Sequence, residues 1–257
     1  MKKSTLILIL TVAISAISFS FVNYNASATA STTDTTVVST VDSVDSNAAA
    51  IAQVSESLFE ELHLEEKGLS MNALELAVKG YLQLKETGLL NNPLLSIVDL
   101  SQSSRDKRFY LLDVENKKLL ENTYVAHGRN SGQDIATDFS NDIGSEKSSL
   151  GFYVTKEIYK GKHGMSLKIE GLEQGFNDNA ENRSIVVHGA NYVNSGRVQS
   201  NYMGRSQGCP ALPTTEYKKI INEIKNGSAL FIYSDNANYL NKSEVLNSRS
   251  ITSVTTS

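Results

Sequence analysis

The chain has 257 residues, with 24 Lys and Arg against 28 Asp and Glu, a net charge of −4 and 40% hydrophobic residues. That length accommodates one ordinary core with flanking segments, and a mildly acidic balance without a basic run argues against a nucleic-acid partner. A single cysteine excludes an internal disulfide framework and a cysteine-rich zinc site.

The N-terminus reads MKKSTLILILTVAISAISFSFVNYNASATAST. Lys2 and Lys3 make a positive n-region, Leu6 to Val22 a mostly apolar core, and Ala26-Ser27-Ala28 a small-residue cleavage site. This is the layout of a secretory signal peptide over residues 1–28. The apolar core, interrupted by Thr11, Ser15, Ser18 and Ser20, falls short of the roughly 20 apolar residues of a spanning helix. Cleavage near Ala28 is therefore expected, with the mature protein in the periplasm or cell envelope; an uncleaved anchor is the alternative. No cysteine near the cleavage site offers a point for lipid attachment. Removing residues 1–28 takes away Lys2 and Lys3 and no acid, leaving 22 basic against 28 acidic residues and a net charge of −6.

Residues 29–48, rich in Ser, Thr, Val and Asp and free of aromatics, bury too little to fold and read as a disordered linker. Over residues 49–92 the pattern turns helical. Ile51, Val54, Leu58 and Leu62 recur at spacings of three and four. Gly68 is a stop, and Ser70 an N-cap for a second helix whose apolar face holds Leu74, Ala77, Val78, Tyr81 and Leu82. This helical segment reads as packing material.

Residues 93–235 carry short β-rich runs separated by Gly, Asn, Asp and Ser: LLSIVDL, KRFYLLDVENKKLLENTYVAH, GFYVTKEIY, SLKIEGL and RSIVVHG. A hairpin turn is expected at Glu115-Asn116. A helix within TTEYKKIINEIKNGS, closed by Gly227, precedes a final strand over Ala229 to Tyr233. The fold class is thus mainly β with a small helical segment in front. Residues 236–257 read as a loose polar tail.

The lone thiol lies in GRSQGCPALP, downstream of the His-Gly pair of SIVVHG. An unpaired thiol in an oxidising compartment is buried and inert, paired between molecules, or reactive. Thiolate chemistry needs a base and backbone N–H groups for an oxyanion. Gly208 permits a tight turn, the N–H groups around Gln207 and Gly208 can converge on one point, and Pro210 stiffens the chain and suits the first turn of a helix. A helix N-terminus at Cys209 would lower its pKa. His188 closes a buried strand, and Gly189 lets the chain turn from the ring. A lone Cys or His is more often a satisfied core residue. Here export and the glycine-flanked turns favour Cys209 and His188. His63, His127 and His163 are weaker candidates, and no His, Asp or Glu array calls for a metal or cofactor.

IVVHG followed by GRSQGCPAL resembles the signature of the YkuD-type murein L,D-transpeptidases, His-Gly, a spacer, then Ser/Thr-His-Gly-Cys. NTYVAHGRNSG, SSLGFYVTKEIYKGKHGMSLKIEGLEQGFNDNA and IVVHGANYV extend the resemblance over roughly Pro93 to Tyr233. The resemblance implies a β-sandwich or mixed-sheet catalytic domain acting on peptidoglycan stem peptides as donor and acceptor, without a metal. It implies Cys209 as nucleophile, His188 as base and the Gln207–Gly208 backbone as oxyanion hole. Arg205, Ser206 and Gly189 are the candidate substrate contacts. Two positions depart from the pattern: Gln207 stands in place of a second histidine, and Ala211 where many members carry arginine. An L,D-carboxypeptidase or cross-link hydrolase with the same site stays open, as does a wall-binding module without turnover, against which the presence of both Cys209 and His188 argues.

N-terminal sequencing of the protein from an envelope fraction is expected to begin at or near Thr29, with no lipid attached. An intact Met1 in the membrane fraction would instead establish the anchor.

Overall fold

The change from helical to alternating periodicity near residue 93 divides the chain's elements as its sequence suggests. The structure, a computed structural model, describes residues 41–162 and 164–248. The signal-peptide reading, most of the linker, His163 and the last nine residues lie outside them. Two helices, α1 (Val41–Glu61) and α2 (Met71–Glu86), come first. They are followed by β1 (Leu94–Asp99), β2 (Phe109–Asp113), β3 (Lys118–Thr123), β4 (His127–Gly128), β5 (Gly151–Gly161), β6 (Gly164–Gly171), β7 (Val186–Ala190), β8 (Arg205–Ser206) and β9 (Ala211–Pro213). Helix α3 (Tyr217–Ile224), strand β10 (Ala229–Tyr233) and helices α4 (Ala237–Lys242) and α5 (Glu244–Asn247) complete the order.

The fold is mainly β. Eight strands form one mixed sheet in the order β3-β2-β1-β10-β5-β6-β7-β9, and β4 and β8 make a two-stranded parallel ribbon. The last strand in sequence therefore inserts at the centre, parallel to β1 and antiparallel to β5. Both faces of β10 are buried, which its unbroken apolar run ALFIY requires. The β2–β3 turn falls at Glu115-Asn116 as expected, with the Asp113 carboxylate accepting from the Asn116 N–H at 3.0 Å.

Ser70 caps α2 by accepting from the Ala73 N–H at 3.2 Å. The buried face of α2 includes Leu74, Ala77, Val78 and Tyr81 and joins the same core as the strands. Leu82, expected on that face, is only half-buried. Helix α1 begins at Val41, inside the stretch expected to be linker; the Ala48–Ala50 run has the best helix propensity and carries the helix upstream. Among the described residues no helix is long and apolar enough to cross a membrane.

The segment after Ser234 is not loose where it is described. Tyr239 and Leu246 are buried, and the buried Glu173 carboxylate holds the segment against the sheet. Glu173 accepts from the Tyr239 hydroxyl at 2.9 Å, from Phe152 N–H at 2.7 Å and from the Ser243 hydroxyl. A polar sequence concealed this anchoring because its few apolar side chains are spaced on two short helical turns.

At Gly80 helix α2 lies directly on the sheet, and an added Cβ would stand 2.0 Å from the ring tip of Phe152. That ring is stacked on Phe231 at 4.1 Å and cannot swing away without disturbing the core. Gly→Ala inside a helix ordinarily stabilises by about 0.5–1 kcal/mol. Gly80→Ala is expected to reverse that sign, costing about 1–3 kcal/mol through overpacking, as read from urea unfolding midpoints.

Candidate active site

His188 lies on β7, flanked by β6 and β9. Its backbone is in register with Ser166 on one side and Ala211 on the other. The residue is buried, and its Nδ1 lies 3.0 Å from its neighbour Gly189's carbonyl oxygen. A carbonyl only accepts, so Nδ1 carries a proton and Nε2 is the nitrogen through which the ring can take one up.

Cys209 lies two residues before Ala211, beside Val186 of β7. Its sulfur accepts from the Val186 N–H at 3.4 Å, and its S–H points to the Ser184 carbonyl at 3.7 Å. Val186 and His188 share one face of β7 by strand alternation, and the thiol lies against the Val186 backbone, two residues before the β7–β9 ladder begins. The chain reaches this position through Gly208, whose φ of +121° favours glycine. A Cβ there would also stand 2.8 Å from the Lys147 carbonyl oxygen.

Several expected roles change. Pro210 leads into β9 and not into a helix, so no helix N-terminus acts on the thiol. Burial pushes the Cys209 pKa up, against the Val186 N–H and the Arg183 charge, which pull it down. The Gly208 N–H is engaged by the Ser206 hydroxyl at 3.1 Å, and that hydroxyl donates to the Cys209 carbonyl at 2.7 Å. Ser206 thus braces its own turn. Gln207 is exposed, its side chain 3.4 Å from Glu146.

Arg205, on β8, donates to the carbonyls of Arg129 at 3.0 Å and Gly132 at 3.1 Å, and its guanidinium lies 4.4 Å from the Tyr202 ring centroid. Gly189 is packed under Tyr217, where a Cβ would come within 2.6 Å of the ring, and its carbonyl orients His188. Ala211 is fully buried, a position with room for a methyl group and not for a guanidinium.

His127 is also buried and is a structural junction. Its Nδ1 accepts from Arg108 at 2.7 Å, and its Nε2 lies 3.3 Å from the Gly132 carbonyl. Burial first, then the Arg108 charge, holds its pKa down at about 4, so it is neutral at physiological pH. Among the described residues no three His, Cys, Asp or Glu side chains converge as a metal site would require.

Two side chains near the thiol escaped the sequence reading, Arg183 and Tyr192, each of which feels the charge of Cys209. Arg183 carried one signal, a basic residue immediately before an apolar strand. A cavity of about 540 Å³ is lined by Lys156, Tyr159, Lys168, Glu181, Ser184 and Val186, with neither Cys209 nor His188 in its wall.

The family model for the L,D-transpeptidase catalytic domain matches residues 65–233. The match begins upstream of Pro93, so α2 lies within the family's domain. No curated protein matches. Among solved structures the chain is similar to an L,D-transpeptidase from Mycobacterium smegmatis, at 11% identity and a TM-score of 0.34, covering 55% of this chain and 59% of that one. It is similar to one from Stackebrandtia nassauensis at 12% identity and a TM-score of 0.33, covering 64% and 68%. A third, from Mycobacterium tuberculosis H37Rv, shares 13% identity with a TM-score of 0.32, covering 55% and 58%.

A thiol whose pKa is raised is protonated at neutral pH and gains reactivity only as pH climbs through the raised value. The rate of Cys209 alkylation by iodoacetamide is therefore expected to rise with a midpoint above the ordinary value of about 8.5. A rate already on its plateau at pH 7 would contradict the burial argument.

Proposed function

The chain belongs to the L,D-transpeptidase catalytic domain family, and we propose that it is a peptidoglycan L,D-transpeptidase using Cys209 as nucleophile and His188 as base. The observation that supports this reading is the Cys209 thiol beside Val186 of β7, the strand that carries the carbonyl-oriented imidazole of His188.

The chemistry proceeds by two acyl transfers. The thiol proton passes to Nε2 of His188 as sulfur attacks the carbonyl carbon between the third stem residue and D-alanine. The Gly189 carbonyl keeps Nδ1–H in place and favours the imidazolium that forms. Backbone N–H groups of the Gln207–Cys209 turn would stabilise the oxyanion. The Gly208 N–H is held by Ser206. The tetrahedral intermediate collapses by breaking the C–N bond, and D-alanine leaves with the proton returned by His188. An amine from the third residue of a second stem then attacks the thioester, forming a 3→3 cross-link and regenerating the thiol. Such a substrate lies outside the cytoplasm, in keeping with the exported reading of residues 1–28.

One observation favours a second reading, an L,D-carboxypeptidase in which water resolves the thioester. An amine outcompetes water only when it is bound, since binding supplies its effective concentration. A guanidinium suits the carboxylate of an acceptor stem, but Arg205, the cationic candidate substrate contact, is tied to backbone carbonyls, and Ala211, where many members carry arginine, is buried.

Tetrapeptide muropeptides incubated with the enzyme are expected to yield free D-alanine and 3→3 dimers, separated by chromatography and mass spectrometry. Tripeptide without dimer across a range of acceptor concentrations selects the carboxypeptidase. Cys209→Ala is expected to fold, to release no D-alanine and to lose the covalent adduct with a carbapenem. His188→Ala should slow D-alanine release by about 10²–10⁴-fold. A wild type that releases no D-alanine and takes no adduct would leave only a wall-binding module.

A further inference from the structure

Arg183 stands three residues before Val186, the first residue of β7, and its guanidinium sits against the turn that carries the thiol. Nη2 lies 3.3 Å from where a Cβ on Gly208 would stand. It donates to the Lys147 carbonyl at 2.6 Å and to the Ser145 hydroxyl at 3.1 Å. Nη1 donates to the Ser140 carbonyl at 2.8 Å and to the Ser149 hydroxyl. All four acceptors are neutral, and among the described residues Arg183 enters no ion pair. A half-buried guanidinium with no carboxylate partner is a full charge in a poorly screened place.

Two groups interact with the charge of the thiol: Arg183, and Tyr192, whose hydroxyl is pushed up to about 12 by burial and by Cys209. The tyrosine stays neutral. Around Arg183 itself stand Tyr153, held neutral by complete burial, and Asp142 on the facing loop. Glu146, the other acid of that loop, is paired with Arg129. Arg183 is therefore the one permanent cation among these groups that acts on the sulfur, in a protein where Gln207 stands where the family pattern carries a second histidine.

We propose that Arg183 is a positioning residue for the reaction: its unpaired charge stabilises the Cys209 thiolate. The proposal rests on the reading of Cys209 as nucleophile. A competing account makes Arg183 only a staple between the 140–149 loop and the catalytic turn, and the two separate cleanly. Ser145→Asp supplies Nη2 with a carboxylate, neutralising the guanidinium while preserving the staple. Ser145 is only half-buried, so the new side chain has room.

The test is the pH profile of Cys209 alkylation, with D-alanine release measured in parallel. In Arg183→Gln and Ser145→Asp the midpoint is expected to rise by about one unit, which lowers the rate at pH 7 about tenfold. D-alanine release should fall with it and recover at high pH. Arg183→Lys keeps the charge, loses most of the staple and should stay near the wild-type profile. If Ser145→Asp titrates like the wild type, the staple account stands and the proposal is overturned, even should Arg183→Gln fail to fold. The functional reading is judged separately. Wild-type turnover with immobile profiles sinks only the role of Arg183, whereas shifted profiles in a protein that never releases D-alanine sink only the transpeptidase reading.

Discussion

The site depends on one pairing, the three parallel residues that join β7 to β9. Placing His188 opposite Ala211 sets Cys209 beside Val186, and strands spaced about 4.8 Å apart leave little latitude. A slip of one residue would turn His188 to the opposite face of the sheet. Three residues are a short ladder, and other contacts hold its register. Ala126 donates to the Ala211 carbonyl at 2.9 Å from the other side, Ser206 closes the turn, and the Pro210 carbonyl accepts from the His188 N–H at 3.4 Å. Since β9 is an edge strand, Pro210 and Pro213 cost it no interior ladder bonds. Ala211 is buried because it is clasped between β7 and Ala126, which explains why the arginine of the family pattern has no room there.

Behind this edge the sheet is built to stay still. β10, last in the chain, fills the centre between β1 and β5, so closure of the sheet ties residues near 95 to residues near 230. Gly80 lets α2 sit directly on the Phe152–Phe231 stack, and Glu173 anchors α4 to the start of β5. The buried Arg108 joins the backbone at Val125 and Gln102 to His127, fixing the ribbon that supports the 129–132 loop.

Most elements were legible because their signals are local: Ser70 as a cap, Asn116 in a turn, ALFIY as a strand buried on both faces. Chain order could not show β10 entering the sheet between β1 and β5, since that depends on pairing over long separations. The site was legible where geometry follows residue type. Cys209 lies beside Val186 of the strand that carries His188, and the glycine before the cysteine has the φ that only glycine takes easily. Roles that depend on what a side chain meets were not legible. Arg205 satisfies backbone carbonyls, Ser206 braces its own turn, and Gly189 serves through its carbonyl. Arg183 was overlooked because a single arginine before a strand gives no hint of which loop it will hold.

The burial of the thiol also bears on its being the only cysteine in a chain that reads as exported. Oxidants and mixed disulfides select exposed thiolates. Cys209 is only partly exposed, its S–H is directed to the Ser184 carbonyl, and desolvation holds the proton on sulfur. In that state the sulfur is a poor target for adventitious oxidation, and no second cysteine is present to exchange with it. The same groups then act in the opposite sense when a proton acceptor is at hand. The Val186 N–H and the Arg183 charge both favour the ionised sulfur. A thiol kept neutral by burial, yet flanked by an N–H and a cation that favour its anion, holds its proton until a rise in pH or a nearby base draws it off.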